Sequence, residues 1–149
     1  MSDNEKAGTQ RKVADVRHAK GGEYEAVIRK IIADGGCPFC PTGFKYHKHP
    51  ILKRDGNWFI SKSSWPYENT EHHFIILPER HMECVSEIAP SDWASVHLLA
   101  EWAIDEFDLK GGALNVRFGD TEYTGATVCH LHFHLIVPQL NKVVIFPIG

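Results

Sequence analysis

The sequence lacks the features that mark several large functional classes. No apolar run approaches the roughly 20 residues that a membrane-spanning helix needs, and the N-terminal stretch MSDNEKAGTQRK has no apolar centre of the kind found in signal peptides. The formal net charge of −3 gives neither a basic field for nucleic acid nor a strongly acidic tail. We therefore expect a cytoplasmic protein with no nucleic-acid partner and no membrane association.

The composition that remains is that of one globular domain. The chain has 149 residues, of which 43% are hydrophobic and 23% charged, and this length is enough to bury a sizeable core. Residues 1–20 are polar and charged, with little apolar periodicity. We expect them to form a loosely ordered N-terminal arm, followed by a single domain over residues 21–149.

The spacing of apolar residues predicts a mixed fold. Helical spacing predicts one helix over 23–33 and a longer one over 91–108, after Pro90. Asp55-Gly56 separates two β-prone runs and predicts a hairpin. Further strands are expected at 73–77, 113–118 and 128–137, and 142–146 is a weaker candidate for one more. This order lacks the regular alternation of a parallel α/β fold, so we predict an α+β fold with two helices and an antiparallel sheet of about five strands.

Two of the four cysteines form the motif Cys37-Pro-Phe-Cys40. In a reducing compartment this spacing favours metal ligands or a redox pair over disulfides. Two thiolates at this spacing form half of a tetrahedral zinc site. The redox interpretation is weaker because its usual βαβ setting is absent, and two buried, reduced thiols are a third alternative.

The run VCHLHFHLIVP at residues 128–138 carries three histidines at every second position. In a strand His130, His132 and His134 would share one face, while the apolar residues between them pack behind. Burying imidazoles together costs desolvation unless each has a partner or a metal. They could be three core histidines, three ligands of one catalytic zinc, or a divided set with one metal ligand and one nucleophile.

The histidine run resembles the signature of the histidine triad superfamily of nucleotide hydrolases and transferases. The form is His-φ-His-φ-His-φ-φ, where φ is apolar, and the resemblance extends through TGATVCHLHFHLIVP, HHFIILPERH and CPFC, covering residues 36–138. It implies a histidine triad fold, a nucleotide substrate, and a homodimer in which two sheets join into one continuous sheet.

The resemblance also implies four catalytic positions. His132 would be the nucleophile, attacking the α-phosphorus of a nucleotide derivative and forming a nucleotidyl-histidine intermediate that water or another acceptor resolves. His134 would contact the α-phosphate, and the Thr127 hydroxyl would contact the bridging oxygen of the leaving group. His73 matches the position of a supporting histidine.

Several positions that bind the nucleotide depart from the pattern. Backbone amides around Gly125 and Ala126 could hold phosphate oxygens, but Ala126 stands where many members have Gln. Gly119 stands where many have an Asn that contacts phosphate, so this contact is either absent or replaced by Asp120 or Arg117.

The nucleoside end of the site also differs. Ser63 occupies the place of an acidic residue that commonly grips the ribose hydroxyls. Aromatic residues could supply a wall for the base, although hairpin aromatics more often belong to the core. These aromatic candidates are Trp58, Phe59, Trp65 and Phe44.

By the same resemblance, the zinc shell would be Cys37, Cys40, His81 and His130. Four protein ligands leave no open position, so the zinc would be structural. The function implied is that of a nucleotide hydrolase or nucleotidyltransferase acting on a dinucleoside polyphosphate or a nucleoside phosphoramidate. The alternative is a zinc-stabilised nucleotide-binding or regulatory protein with little turnover.

Overall fold

The computed structural model describes residues 11–19 and 21–149. Its five strands form one antiparallel sheet in the order β1-β2-β3-β5-β4. The strands are β1 Ile51–Asp55, β2 Trp58–Lys62, β3 Thr70–Pro78, β4 Ala113–Val116 and β5 Phe133–Pro138. The helices are α1 Gly22–Asp34, α2 Pro90–Glu106 and the four-residue α3 Thr121–Thr124. The predicted α+β class and five-stranded sheet are confirmed, with α3 as an addition to the two expected helices.

The main core lies between the sheet and α2. Alternate residues of β3, Phe74 and Ile76, point to this side, as do Phe133 and Leu135 of β5. They pack against the buried stripe of α2, which consists of Val96, Leu99, Ala100 and Ala103. Pairing of β3 with β5 places Ile75 opposite His134, so these two residues face the other side of the sheet. The period of two thus separates a core face from a face that carries histidines.

The start of α2 is tied to the hairpin by one side chain. The Asp92 carboxylate accepts a hydrogen bond from the Ala89 backbone N–H at 2.8 Å and another from the Trp58 indole at 2.9 Å. Trp58 lies in β2 of the predicted Asp55-Gly56 hairpin, in which Asp55 pairs with Trp58. A capping residue therefore also fixes the helix on the sheet.

The last strand is shorter than the sequence predicts. β5 begins at Phe133, so His130 and His132 precede it, and residues 128–132 are not a sheet strand. The reason is a different set of partners: Val128 forms an isolated bridge with Ala14, the Cys129 N–H bonds the Val13 carbonyl, and Leu131 N–H bonds the Met82 carbonyl. The alternation of side chains nevertheless continues, because Leu131 is buried in the same core as Phe133.

The strand expected at residues 142–146 does not form. In the described part of the chain this segment pairs with no other strand. Instead it is held from the side, because the Asn69 amide donates to the Val143 carbonyl at 3.0 Å. Phe146 then packs on Tyr67 and His134.

The expected N-terminal arm falls partly outside the described residues, which leave out 1–10 and 20. Of residues 11–19, Val13 and Ala14 are buried against Ile28 and Ile31 of α1. Within 11–19 and 21–149, no helix is both long enough and apolar enough to cross a membrane.

Candidate active site and metal centre

A cavity of about 570 Å³ lies on the sheet face opposite α2. The four predicted catalytic residues all line it: Thr127, His73, His132 and His134. They come from different parts of the fold, since His73 lies on β3, His134 on β5, and Thr127 and His132 on the segment before β5.

His132 has one nitrogen held by the backbone. Its Nδ1 lies 2.7 Å from the His130 carbonyl oxygen, which can only accept, so Nδ1 carries the proton. Burial lowers the pKa of His132 to about 4, although the hydrogen bond to His130 opposes the shift. A neutral ring in this tautomer leaves Nε2 with an unprotonated lone pair. This is the state that a nucleophilic imidazole requires.

A chain of hydrogen bonds sets the tautomer of His134. The Tyr67 backbone N–H donates to Nδ1 of His73 at 3.1 Å, so a neutral His73 carries its proton on Nε2. That Nε2 donates to Nδ1 of His134 at 2.9 Å. His134 therefore keeps its own proton on Nε2, which is buried and has no hydrogen-bond partner among the described residues.

Burial keeps both members of this histidine chain neutral. It lowers the pKa of His73 to about 4 and that of His134 well below its usual value, and the neighbouring His132 and Arg117 add to both shifts. An orphaned buried N–H costs free energy unless something accepts from it. The His134 Nε2–H beside the His132 ring, whose centroid lies 4.7 Å away, is thus a donor ready for an anionic ligand.

The predicted nucleotide contacts divide into two groups. Ser63 and Gly125 line the cavity. Ala126 is buried and does not line it, while Asp120 is exposed and caps α3 by accepting from the Glu122 N–H at 2.9 Å. Arg117, the other candidate for the missing phosphate contact, does line the cavity.

The four predicted zinc ligands lie together. The ligand atoms of Cys37, Cys40, His81 and His130 are all within 4.8 Å of one another. The loop that carries the cysteines closes tightly, because a Cβ at position 43 would overlap the Cys37 carbonyl, and only glycine fits there. Two sulfur and two imidazole donors are a typical set for zinc.

The backbone also selects the metal-binding nitrogen of His130. Its Nε2 donates to the Pro78 carbonyl at 2.8 Å, so the lone pair is on Nδ1, which faces the Cys37 sulfur at 3.3 Å. His81 presents its own Nδ1 to the Cys40 sulfur at 3.4 Å. Burial raises the pKa of the Cys37 thiol to about 12, so a thiolate here calls for a cation beside it. These donors fit a zinc ion.

The structure adds site residues that the sequence did not single out. Phe39, between the two cysteines, packs its ring edge-on against His132 with centroids 5.0 Å apart. Tyr67 stacks on His134 at 5.7 Å. Tyr24 of α1 lies at the cavity beside Trp65, with ring centroids 5.1 Å apart. Phe39 lies within the motif CPFC and Tyr67 shortly before HHFIILPERH, whereas Tyr24 is near neither motif in the sequence.

The proposed aromatic wall is mostly core. Trp58 and Phe59 are buried within the sheet, and Phe44 packs on Phe59. Of the four candidates, Trp65 alone lines the cavity.

Comparison by sequence finds little. No family model matches the chain. A curated relative, a CWF19-like protein 1 homolog from Drosophila melanogaster, is 26% identical over 61 residues. The match covers 41% of this chain and only 11% of that relative, so it covers a small part of a much longer protein.

Comparison by structure finds histidine triad proteins. A HIT family hydrolase from Clostridium thermocellum is 26% identical, with a TM-score of 0.57 over 74% of this chain and 97% of that one. A zinc-bound histidine triad family protein from Mycobacterium smegmatis is 19% identical, with a TM-score of 0.56 over 76% and 83%. A histidine triad nucleotide-binding protein from Candida albicans is 19% identical, with a TM-score of 0.61 over 76% and 82%.

The fold is therefore that of the histidine triad proteins. The resemblance that the motifs indicated is confirmed, and with it the Cys-x-x-Cys type, since both cysteines lie in a cluster that could bind zinc.

Proposed function

We propose that this protein is a nucleotide hydrolase or nucleotidyltransferase that acts at the α-phosphate of a nucleotide derivative. One observation carries the proposal: a neutral His132 with a free Nε2 lies beside the unpartnered Nε2–H of His134 in one cavity. The first group is a nucleophile and the second a donor for the phosphate that it attacks. Two similar structures, those of a HIT family hydrolase and of a histidine triad nucleotide-binding protein, support the same class.

The reaction has two displacements. In the first, the Nε2 lone pair of His132 forms a bond to phosphorus while the P–O or P–N bond to the leaving group breaks, and the leaving group takes that electron pair. The Thr127 hydroxyl donates to the developing charge on the leaving group. The ring becomes cationic as the bond forms, and the His130 carbonyl stabilises it by accepting from Nδ1–H. In the second, the oxygen of water or another acceptor forms a bond to phosphorus while the Nε2–P bond breaks, the electron pair of that bond returns to Nε2, and the acceptor releases its proton to solvent.

Zinc is proposed as a structural cofactor. Cys37, Cys40, His81 and His130 would hold it, and all four positions would be filled by protein. The ion would tie the loop that carries Phe39 to the segment that carries His132, and so fix the wall of the cavity.

The test is intact-mass spectrometry of protein quenched within seconds of mixing with a panel of adenine and guanine nucleotide derivatives. We expect a mass gain of one nucleotidyl group that maps to His132. His132→Ala should abolish the adduct and the turnover without loss of zinc, whereas loss of zinc in this variant would support a three-histidine metal site. The control is His97→Ala, an exposed position on α2.

The second candidate is a zinc-stabilised nucleotide-binding protein with little turnover. Two residues favour it, since Ala126 and Gly119 lack the side chains that contact phosphate in many triad proteins. Nucleotide binding with neither adduct nor product across the panel would establish this alternative.

We also propose a homodimer that joins two sheets at β4. This strand is at the end of the sheet order, and Leu114 on it is 44% exposed. The exposed apolar residues Leu98 and Ile104 of α2 would be covered by the same contact.

A further inference from the structure

One cation lies among the catalytic histidines. Of the described residues that line the cavity, Arg117 is the one Lys or Arg. It follows β4 directly, is half-buried, and lines the same cavity as His73, His132 and His134. A permanent positive charge in this cavity lies where a phosphate group would bind.

The guanidinium is held in place from several sides. Its Nε donates to the Pro147 carbonyl at 2.8 Å, and its Nη2 donates to the Tyr67 hydroxyl at 3.1 Å. The Phe146 ring lies under it, 3.9 Å from the guanidinium carbon. These contacts use Nε and Nη2, and none of the described hydrogen bonds uses Nη1.

A guanidinium with a free edge suits phosphate oxygens. Arg is planar and permanently charged, and its remaining N–H groups can bind a phosphate without giving up the contacts that orient it. The α-phosphate already has His132 as attacking group and His134 as donor. The unused Nη1 is therefore available for the charges beyond the α-phosphate.

We propose that Arg117 binds the phosphates of the leaving group and thereby favours nucleotide derivatives whose leaving group is a polyphosphate. Dinucleoside polyphosphates belong to this class. The leaving group of a phosphoramidate is an amine without phosphate, so Arg117 would not favour it. This inference rests on the proposed function. A simpler role would be structural, in which Arg117 only pins the segment that contains Phe146 and Pro147.

The test compares two donors that share one nucleotidyl group. The value of kcat/KM is measured for diadenosine tetraphosphate and for adenosine 5′-phosphoramidate, with wild type, Arg117→Gln and Arg117→Lys. We expect Arg117→Gln to lower the value for the tetraphosphate by about tenfold more than for the phosphoramidate, because a charge-assisted hydrogen bond is lost on one donor only. For the tetraphosphate, the kcat/KM of Arg117→Lys should lie between those of wild type and Arg117→Gln. An equal loss on both donors, or no loss, overturns the proposal.

A binding measurement separates this inference from the proposed function. The affinities for ATP and AMP are measured by calorimetry, which requires no turnover. Arg117→Gln should reduce the wild-type preference for ATP by about tenfold, and an unchanged ratio overturns the inference. If wild type turns over neither donor, the proposed function fails. The ratio of the affinities for ATP and AMP then tests the role of Arg117 by itself. The control is Arg29→Gln, an exposed position on α1 that pairs with Glu25. It should change neither the ratio of kcat/KM for the two donors nor the ratio of the affinities for ATP and AMP.

Discussion

At the scale of single residues, backbone groups decide what each histidine can do. The His130 carbonyl accepts from Nδ1–H of His132, and the Pro78 carbonyl accepts from Nε2–H of His130. The Tyr67 N–H donates to Nδ1 of His73, which therefore carries its own proton on Nε2. The same type of side chain is thus prepared for the proposed roles of nucleophile at His132 and metal ligand at His130, and for a place in the hydrogen-bond chain at His73. The difference lies in which nitrogen the fold has occupied.

Removing the support of His134 should slow the reaction. His73→Phe deletes the N–H that holds Nδ1 of His134, so the ring can take the other tautomer and lose its donor to phosphate. We expect kcat/KM to fall by about 10–100-fold, the usual effect of losing such a partner. The matched control is His72→Phe, since His72 packs on Phe74 and Phe107, away from the triad. Equal activity of His73→Phe and wild type would exclude a catalytic role for the hydrogen bond from His73 to His134.

Loss of one thiolate should cost both metal and stability. Cys37→Ser removes one of the four donors, and a structural metal contributes free energy to folding. We expect lower zinc content and a lower melting temperature together, measured by elemental analysis and thermal unfolding. Cys84→Ser is the control, because Cys84 is outside the cluster. An unchanged zinc content in Cys37→Ser would disprove the proposed shell.

At the scale of elements, the segment over residues 11–19 works as a clamp on the segment before β5. Asp15 is its anchor: it is 4% exposed, its N–H bonds the Thr127 carbonyl, and its carboxylate accepts from Arg17 and from the Thr121 hydroxyl. The N-terminal segment therefore helps to place Thr127 at the cavity.

Neutralising the anchor should loosen this clamp. Asp15→Asn removes charge-assisted hydrogen bonds, which we expect to lower the free energy of unfolding by about 1–3 kcal/mol. Amide hydrogen exchange should quicken at Cys129, whose N–H bonds the Val13 carbonyl. Asp105→Asn, at an exposed position on α2, is the control. Exchange at Cys129 equal to that of wild type would mean that Asp15 does not hold the segment.

The same anchor predicts a dependence on pH. The hydrogen bond from Arg17, together with those from Lys12 and Thr121, holds the pKa of Asp15 well below its usual range. The folded state therefore binds fewer protons than the unfolded one. The stabilisation is present above the unfolded pKa of about 4 and is lost as the pH falls below it. The free energy of unfolding is measured by chemical denaturation at pH 6 and at pH 3, which lie about one unit or more above and below that pKa. The difference in this free energy between wild type and Asp15→Asn should be smaller at pH 3 than at pH 6.

At the scale of the whole molecule, the open β4 edge bears on assembly. Sedimentation equilibrium should give twice the chain mass of 16.9 kDa if two sheets join there. Leu114→Asp places a charge on that edge and should shift the equilibrium to monomer. Ile32→Asp, on α1 with 39% exposure, should not. A wild-type monomer at all concentrations would refute the dimer.

Much of the site was predictable because its signals are local in the chain. The alternation around His132 correctly predicted a core side at Leu131 and Leu135, and the spacing of Cys37 and Cys40 correctly predicted two thiols at one place. The strand limits at 128–137 were wrong, because the partners of residues 128–132 are Val13, Ala14 and Met82 rather than β3. No local pattern reports such distant backbone bonds.

The sequence by itself determined the fold class, the motifs and the types of side chain that could bind a metal, since these follow from periodicity and from the chemistry of single side chains. The tertiary structure alone decided which nitrogen of each histidine is free, that residues 11–19 hold the segment before β5, and that Arg117 rather than Asp120 lines the cavity. The physical reason is that tautomer, burial and charge at the site depend on groups from β3, β5 and both ends of the described chain. Such groups come together only once the chain has folded.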